Sequence, residues 1–269
     1  MNNKPLLFID SGIGGLPYSG DFIKRCPQEE VYYLADRENF PYGQREKDEL
    51  TRILISLTEK LIKKIDPKII VLACNTAAVS ALEPLRKKFP GFPFVGTVPA
   101  IKPAINASKT GKIGVLGTAR TINDPYNQHL IDECGKECEI TGIAAPDLVE
   151  FVEKRINIAD KKEKTAIVKK YLDILRAKGA DTLVLGCTHF LHLLEEFHSE
   201  ASPSIQIFDS LDGVTKRIEY LLEENNGMLK ASRDSKPQHK ILLTGMEPAD
   251  SIWENRAQDL GFKLSLIWD

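Results

Sequence analysis

A chain of 269 residues with 42% hydrophobic and 28% charged residues has the composition of an ordinary globular protein, in one large domain or two small ones. Its formal net charge of −2 gives no reason to expect nucleic acid or an anionic membrane as a partner. No apolar stretch approaches the roughly 20 residues of a membrane span, and the first residues lack the apolar core of a secretory signal, so we expect a cytoplasmic protein.

Short apolar runs alternate with amphipathic helical patterns along most of the chain. We predict helices over residues 46–64 and 160–178, where apolar residues recur on one face. Strands that alternate with helices in this way predict a mainly parallel α/β sheet. The predicted strands cover residues 6–9, 31–34, 69–73, 94–96, 112–117, 139–142, 182–186, 205–208, 240–244 and 262–267.

The chain also contains a weak internal duplication. Residues 6–11 and 113–118 are similar apolar runs, and each precedes a helical pattern and then a strand that ends in a cysteine, Cys74 or Cys187. Ligands of open α/β sheets bind at the carboxyl ends of strands. Two similar units that face each other would therefore bring both cysteines to one cleft.

The five cysteines predict no disulfide framework, because their number is odd and the expected compartment is reducing. Cys134 and Cys138 lack the spacing of a zinc site, and His189 and His192 have no acidic or thiol partner in a recognised metal pattern. We therefore predict no metal site. The cysteines are Cys26, Cys74, Cys134, Cys138 and Cys187.

Two of these thiols have the surroundings of acid–base groups. Cys74 and Cys187 each end an apolar run and precede a polar turn, where a helix should begin and its amino-terminal charge would favour thiolate. Asp10 and His189 are candidates to poise one thiol each. A lone buried cysteine is usually a small hydrophobe, but a racemase needs one such group on each face of a carbon. The two segments are Cys74-Asn75-Thr76 and Cys187-Thr188-His189.

Two turns are candidate ligand contacts. Residues 10–15, rich in glycine, could hold a carboxylate or phosphate on backbone N–H groups, and Pro17 excludes a dinucleotide fingerprint there. The alternative is a plain strand-to-helix turn in which Asp10 caps the helix. The loop 36–43 ends in Pro-Tyr-Gly and could also present backbone groups, or it could be an ordinary loop with a packed Phe40.

Five ordered motifs resemble those of glutamate racemases, in the cofactor-independent aspartate/glutamate racemase family. They are Asp10-Ser11-Gly12-Ile13-Gly14-Gly15-Leu16, Phe40-Pro41-Tyr42-Gly43, Ala73-Cys74-Asn75-Thr76-Ala77, Gly114-Val115-Leu116-Gly117-Thr118 and Leu185-Gly186-Cys187-Thr188-His189. The resemblance implies an α/β fold of two pseudo-symmetric flavodoxin-like units with mainly parallel sheets and an active site in the cleft between them. Residues 1–97 and 208–269 would form the first unit, and residues 98–207 the second.

The resemblance also implies that the chain interconverts L- and D-glutamate without a cofactor, supplies D-glutamate for peptidoglycan and forms a homodimer. Cys74 would remove the α-proton of D-glutamate, and Cys187 that of L-glutamate. Asp10 would assist Cys74. His189 and Glu153 would assist Cys187. The positions that match substrate-binding residues are Asp10, Ser11, Tyr42, Gly43, Asn75, Thr76, Thr118, Thr121, Thr188 and His189.

Several alternatives remain at this stage. Glu150 lies close to Glu153 in the sequence and competes with it for the role beside Cys187. Within the same family, the substrate could be aspartate or a hydantoin. From a different class, the chain could be a protein that binds an amino acid without catalysis, although a binder has no need of two such thiols. Residues 98–104 also resemble a segment of relatives that a cell-wall precursor activates, which implies the same regulation here.

Overall fold

The computed structural model describes residues 2–125, 138–227, 230–231, 236–247 and 249–267. Cys134 lies outside these residues. The prediction that Cys134 and Cys138 form no zinc site therefore falls outside the described part of the chain. The chain divides into two compact units, one formed by Met1–Thr97 with Leu211–Asp269 and the other by Val98–Ser210. Among the described residues, no helix has both the length and the apolar character that crossing a membrane requires.

The described strands and helices alternate along the chain. The strands are β1 (Leu6–Asp10), β2 (Val31–Ala35), β3 (Ile69–Leu72), β4 (Phe94–Gly96), β5 (Lys112–Gly117), β6 (Glu139–Ala144), β7 (Thr182–Leu185), β8 (Gln206–Phe208), β9 (Lys240–Leu243) and β10 (Lys263–Leu266). The helices are α1 (Leu16–Arg25), α2 (Lys47–Ile65), α3 (Asn75–Lys88), α4 (Ile101–Ala107), α5 (Ala119–Asn123), α6 (Pro146–Arg155), α7 (Lys161–Ala177), α8 (Leu194–Ala201), α9 (Leu211–Gly227) and α10 (Ser251–Leu260). Short 3₁₀ helices cover Arg37–Asn39, Tyr42–Gln44 and Thr188–Leu193.

The first unit contains a six-stranded sheet in the order β10-β9-β2-β1-β3-β4, with all neighbouring pairs parallel. Every residue of β1 and of β3 is buried, as expected for strands covered on both faces of a parallel sheet. The order in which strands are added to the sheet reverses between β1 and β3. Ligands of α/β sheets bind at the carboxyl ends of such a pair of strands. Asp10 ends β1, and Cys74 follows β3 closely.

The second unit repeats this arrangement on a smaller scale. Its four strands are parallel and have the order β6-β5-β7-β8, which matches β2-β1-β3-β4 of the first unit. The same reversal falls between β5 and β7, where Thr118 and Cys187 follow the two strands. The predicted α/β class and the mainly parallel sheets are confirmed.

The predicted elements agree closely with the structure. The bounds of each predicted strand lie within two residues of the observed bounds. The predicted helices 46–64 and 160–178 correspond to α2 and α7. α7 begins with a capping box, in which Asp160 accepts from the N–H of Glu163 and the Glu163 side chain accepts from that of Asp160. The helix expected after Cys74 is α3, whereas a 3₁₀ helix comes between Cys187 and α8.

Candidate functional site

In the first unit, the predicted site residues lie on the loops and helix ends that follow β1, β2 and β3. We call this set the Cys74 cluster. All of them are buried except Gly43, which is partly exposed. The Cys74 cluster consists of Asp10, Ser11, Tyr42, Gly43, Cys74, Asn75 and Thr76.

Asp10 shapes the turn that follows β1. Its Oδ1 accepts a hydrogen bond from the backbone N–H of Gly12 at 2.9 Å and lies 3.4 Å from the hydroxyl oxygen of Ser11. The residue that caps α1 is Gly15, and no side chain caps this helix, so the alternative in which Asp10 is the cap is wrong. The carboxylate instead organises a turn of backbone N–H groups at the edge of the sheet.

Gly15 brings this turn against the end of β3. A Cβ atom on Gly15 would lie 2.6 Å from the carbonyl oxygen of Ala73, so only glycine fits there. The buried hydroxyl of Tyr33 donates to the carbonyl of Gly12 at 2.8 Å and accepts from the N–H of Gly15 at 3.1 Å. Sequence reasoning missed Tyr33; the available signal was a tyrosine in a buried strand, whose hydroxyl needs a partner.

Cys74 is the residue that caps α3. It has extended backbone angles, and its carbonyl accepts the N–H of Ala78 at 2.9 Å. The N–H groups in the first turn of a helix have no partner within it, and together they favour a negative charge. The Nδ2 atom of Asn75 is buried and has no hydrogen-bond acceptor among the described residues. These donors make the start of α3 suited to a carboxylate.

The loop after β2 buries Tyr42. Its hydroxyl donates to Oδ2 of Asp36 at 2.7 Å, whereas Phe40 is 37% exposed, so the alternative of a loop held by a packed Phe40 is wrong. Burial raises the pKa of Tyr42 well above its usual value, and Asp36, Cys74 and Asp10 raise it further by their negative charge. Tyr42 therefore stays protonated, and its hydroxyl donates a hydrogen bond to Asp36.

The second unit holds the remaining predicted site residues, which we call the Cys187 cluster. Its centre is a chain of contacts in which Sγ of Cys187 lies 3.7 Å from Nδ1 of His189, and Nε2 of His189 lies 2.6 Å from Oε1 of Glu153. Cys187 precedes the 3₁₀ helix that carries His189, and α6 supplies Glu153. The Cys187 cluster consists of Thr118, Thr121, Glu153, Cys187, Thr188 and His189.

Glu153, and not Glu150, is the carboxylate that reaches His189. The Glu150 side chain is 64% exposed and pairs with Lys154 at 2.7 Å. The Glu153 side chain is only 17% exposed. The geometry therefore distinguishes two carboxylates that the sequence left as competitors.

The protonation of His189 follows from its neighbours. Burial alone would lower the pKa of His189, but the hydrogen bonds to Cys187 and Glu153 and their negative charge raise it well above its usual value. A protonated imidazole donates from both nitrogens, which suits a position between a thiolate and a carboxylate. The protonated imidazole thus lies between the sulfur of Cys187 and the carboxylate of Glu153.

Three threonines of the Cys187 cluster follow β5 and β7. Thr118 caps α5, and its Oγ1 accepts from the N–H of Thr121 at 3.1 Å and lies 3.0 Å from the Oγ1 of Thr121. Thr121 and Thr188 are both buried. These side chains supply short polar groups at the carboxyl ends of β5 and β7.

Both cysteines are fixed by the same backbone contact. The N–H of Ala73, which precedes Cys74, donates to the carbonyl of Ile9 at 2.8 Å. The N–H of Gly186, which precedes Cys187, donates to the carbonyl of Leu116 at 2.6 Å. In each unit, the residue before the thiol is therefore bonded to the central strand, which gives the sequence duplication a structural meaning.

Candidate metal ligands do not gather elsewhere in the described part of the chain. No group of three or more His, Cys, Asp and Glu residues there could hold a metal ion. His189 contacts Cys187 and Glu153.

Comparison with known proteins shows the family of this chain. A sequence model of the Asp/Glu/Hydantoin racemase family matches residues 23–217. The glutamate racemase of Shewanella piezotolerans is 36% identical over 262 residues, which cover 96% of this chain and 94% of the relative. That of Roseiflexus sp. is 36% identical over 225 residues, covering 84% of this chain and 82% of the relative.

Solved structures give the same result. The crystal structure of Escherichia coli glutamate racemase, in complex with L-glutamate and the activator UDP-MurNAc-ala, has a TM-score of 0.82 at 30% identity and covers 97% of each chain. A glutamate racemase isoform from Bacillus anthracis has a TM-score of 0.83 at 30% identity, with 99% of this chain and 98% of that chain covered. With both sequence and fold in agreement, this chain belongs to the Asp/Glu/hydantoin racemase family.

Proposed function

We propose that the chain is a glutamate racemase that interconverts L- and D-glutamate by proton transfer with Cys74 and Cys187, and that its D-glutamate supplies peptidoglycan synthesis in the cytoplasm. The observation that carries this proposal is the equivalent position of the two thiols, each buried and two residues after the end of the strand that adjoins the central strand of its unit. Glutamate racemases that match this chain along most of their own length support the choice of substrate.

The reaction begins in one direction with L-glutamate. The Cys187 thiolate, paired with protonated His189, takes the α-proton and becomes a thiol. The Cys74 thiol then gives its proton to the opposite face of the carbanion and becomes a thiolate. Exchange of protons with solvent restores both groups, and D-glutamate follows the same steps in reverse. The mechanism requires both thiols to reach one α-carbon from opposite faces.

The difficult step is the formation of the carbanion, because an α-proton is far less acidic than a thiol, whose free pKa is about 8.5. Hydrogen bonds to the α-carboxylate that strengthen in the transition state lower this barrier, by roughly 3 kcal/mol for a well-placed donor. We propose that the Asn75 amide and the first-turn N–H groups of α3 supply such donors. Asp10 would assist Cys74, as Glu153 and His189 assist Cys187.

The loop with Tyr42 is proposed to hold a second substrate carboxylate. Because the hydroxyl of Tyr42 donates its hydrogen bond to Asp36, it cannot also donate one to a substrate anion. The N–H groups of Tyr42 and Gly43 lie in the first turn of the 3₁₀ helix Tyr42–Gln44, where no partner exists within the helix. These two adjacent N–H groups are therefore the donors that the loop can offer.

The deciding experiment is α-proton exchange in heavy water, started separately from L- and D-glutamate with no cofactor added. We expect deuterium incorporation and loss of optical activity from both enantiomers. Aspartate and a hydantoin, run alongside, test the two other substrates of the family. Exchange with aspartate alone would change the substrate, and binding of glutamate without exchange would mean that the chain is a non-catalytic binder.

The oligomeric state is a separate proposal. We expect a homodimer in solution, which sedimentation equilibrium of the purified chain would test. A single species at the monomer mass of 30.1 kDa would contradict it.

A further inference from the structure

A buried carboxylate lies at the base of the loop that carries Tyr42 and Gly43. Asp36 has no exposed surface, and its Oδ2 accepts from the Tyr42 hydroxyl at 2.7 Å and from Nδ2 of Asn39 at 2.9 Å. Its Oδ1 accepts from the Thr244 hydroxyl at 2.8 Å. A buried carboxylate is stable only when such donors satisfy it, so the loop is organised around this one group.

Thr244 reaches Asp36 from a distant part of the sequence, directly after β9. Its hydroxyl donates to Asp36 and accepts from the N–H of Glu38 at 3.1 Å. Its own N–H donates to the carbonyl of Ala35 at 3.1 Å, and its carbonyl accepts from Nε of Arg37 at 3.2 Å. Thr244 is thus bonded to four consecutive residues at the start of the loop.

These contacts link Thr244 to the proposed substrate donors. Its hydroxyl fixes one oxygen of Asp36, and the other oxygen fixes the hydroxyl of Tyr42. Without the Thr244 hydroxyl, Asp36 loses a donor and the N–H of Glu38 loses its acceptor. Both groups would then have to find new partners, and the loop would no longer have one favoured geometry.

We propose that Thr244 is a positioning residue for racemisation, which acts through Asp36 to hold the loop that carries Tyr42 and Gly43. This inference rests on the proposed function and adds to it a residue from the C-terminal segment. Thr244 lies more than 200 positions from Asp36 in the sequence, at a separation of 208 residues. The reaction would therefore depend on a hydroxyl group that lies outside both thiol clusters.

The first unit offers a matched control for this contact. The buried hydroxyl of Thr215, on α9, donates to Oδ2 of Asp21, on α1, also at 2.8 Å. This pair has the same donor and acceptor groups as Thr244 and Asp36, although Asp21 is partly exposed and also pairs with Arg25. It has no contact with the Tyr42 loop among those described for it. Thr215→Val therefore measures the effect of losing such a bond on stability alone.

The experiment compares Thr244→Val, Thr244→Ser and Thr215→Val by racemisation kinetics and by amide hydrogen exchange. We expect Thr244→Val to lower kcat/KM for both enantiomers by about tenfold, the loss typical of a hydrogen bond to a charged group. Thr244→Ser should restore activity, because it keeps the hydroxyl. Thr215→Val should lower Tm to a similar extent with little change in kcat/KM. Amide exchange in the peptide that spans residues 36–45 should rise in Thr244→Val only.

Two results would overturn the positioning role. One is an equal loss of activity in Thr244→Val and Thr215→Val; the other is unchanged amide exchange over residues 36–45 in Thr244→Val. Failure of the proposed function has a different signature. A wild-type protein that exchanges neither enantiomer would refute the racemase assignment and the catalytic part of this inference, whereas the exchange measurement would still decide whether Thr244 anchors the loop.

Discussion

His189, which is buried, and Glu153, which is partly buried, form a pair in which Nε2 of the imidazole lies 2.6 Å from Oε1 of the carboxylate. The pair leaves Nδ1 of His189 directed at Cys187, with 3.7 Å between Nδ1 and the sulfur atom. A carboxylate on the far side of an imidazole fixes the orientation of the ring and favours its protonated form. Glu153 therefore contributes to the raised pKa of the imidazole that contacts Cys187.

Glu153→Gln should slow racemisation. The amide keeps the shape of the side chain but removes the charge that favours protonated His189, the proposed partner of Cys187. We expect kcat/KM to fall by about tenfold or more, as for the loss of a charge-assisted hydrogen bond. Glu150→Gln, on the same helix but exposed, is the matched control. Equal losses in the two variants would contradict the role of Glu153.

The raised pKa of His189 predicts a pH dependence of stability. A group whose folded pKa lies above its unfolded value stabilises the fold fully below the unfolded pKa, about 6.5 for histidine, and this contribution disappears as pH rises through the folded pKa. The difference in Tm between wild type and His189→Gln should therefore be largest below about pH 6.5. It should shrink in alkaline solution. A difference that grows with pH would mean that His189 is neutral in the fold.

Each thiol should act on one enantiomer. With Cys74→Ala, Cys187 can still exchange the α-proton of L-glutamate with solvent but no group can protonate the other face. We expect slow deuterium incorporation into L-glutamate without racemisation, and the corresponding result for D-glutamate with Cys187→Ala. Cys26→Ala, at a partly buried thiol outside both clusters, should racemise like wild type. Racemisation by either single-thiol variant would disprove the two-thiol mechanism.

Tyr33→Phe should loosen the turn that follows β1. The substitution leaves the carbonyl of Gly12 and the N–H of Gly15 without their buried partner, at a cost of about 1–3 kcal/mol in the free energy of unfolding. Urea denaturation would measure this loss. Tyr32→Phe, at the neighbouring and partly exposed position, should cost less. A larger loss for Tyr32→Phe would show that the Tyr33 hydroxyl does not hold the turn.

Much of the fold could be predicted from the sequence because buried parallel strands are continuous apolar runs with sharp polar ends. The positions of Cys74 and Cys187 at such ends followed from the same pattern. Sequence could not choose between Glu150 and Glu153, because only the packing of α6 against the 3₁₀ helix of His189 decides which one is buried. It also left open an ordinary loop with a packed Phe40, because the partner that allows Tyr42 to be buried instead is a carboxylate six residues earlier.

The contact between Thr244 and Asp36 shows a further limit of sequence reasoning. The two residues are separated by 208 positions, and neither sequence segment indicates a contact with the other. Only the position of β9 beside β2 brings them together. The catalytic and binding roles of the residues in both clusters remain predictions, which the experiments above would test.

The shared strand order of the two units has a consequence for a pair of mirror-image substrates. Both units are built from L-residues and are right-handed in the same sense, so neither can be the mirror image of the other. In the proposed mechanism, the groups that serve the two faces of the substrate therefore differ: the Cys74 cluster contains Asp10 and Tyr42, and the Cys187 cluster contains His189 and Glu153. L- and D-glutamate have equal free energy in water, which forces kcat/KM to be the same in both directions. The separate values of kcat and KM are under no such constraint, and mutation can shift each of them for one enantiomer alone.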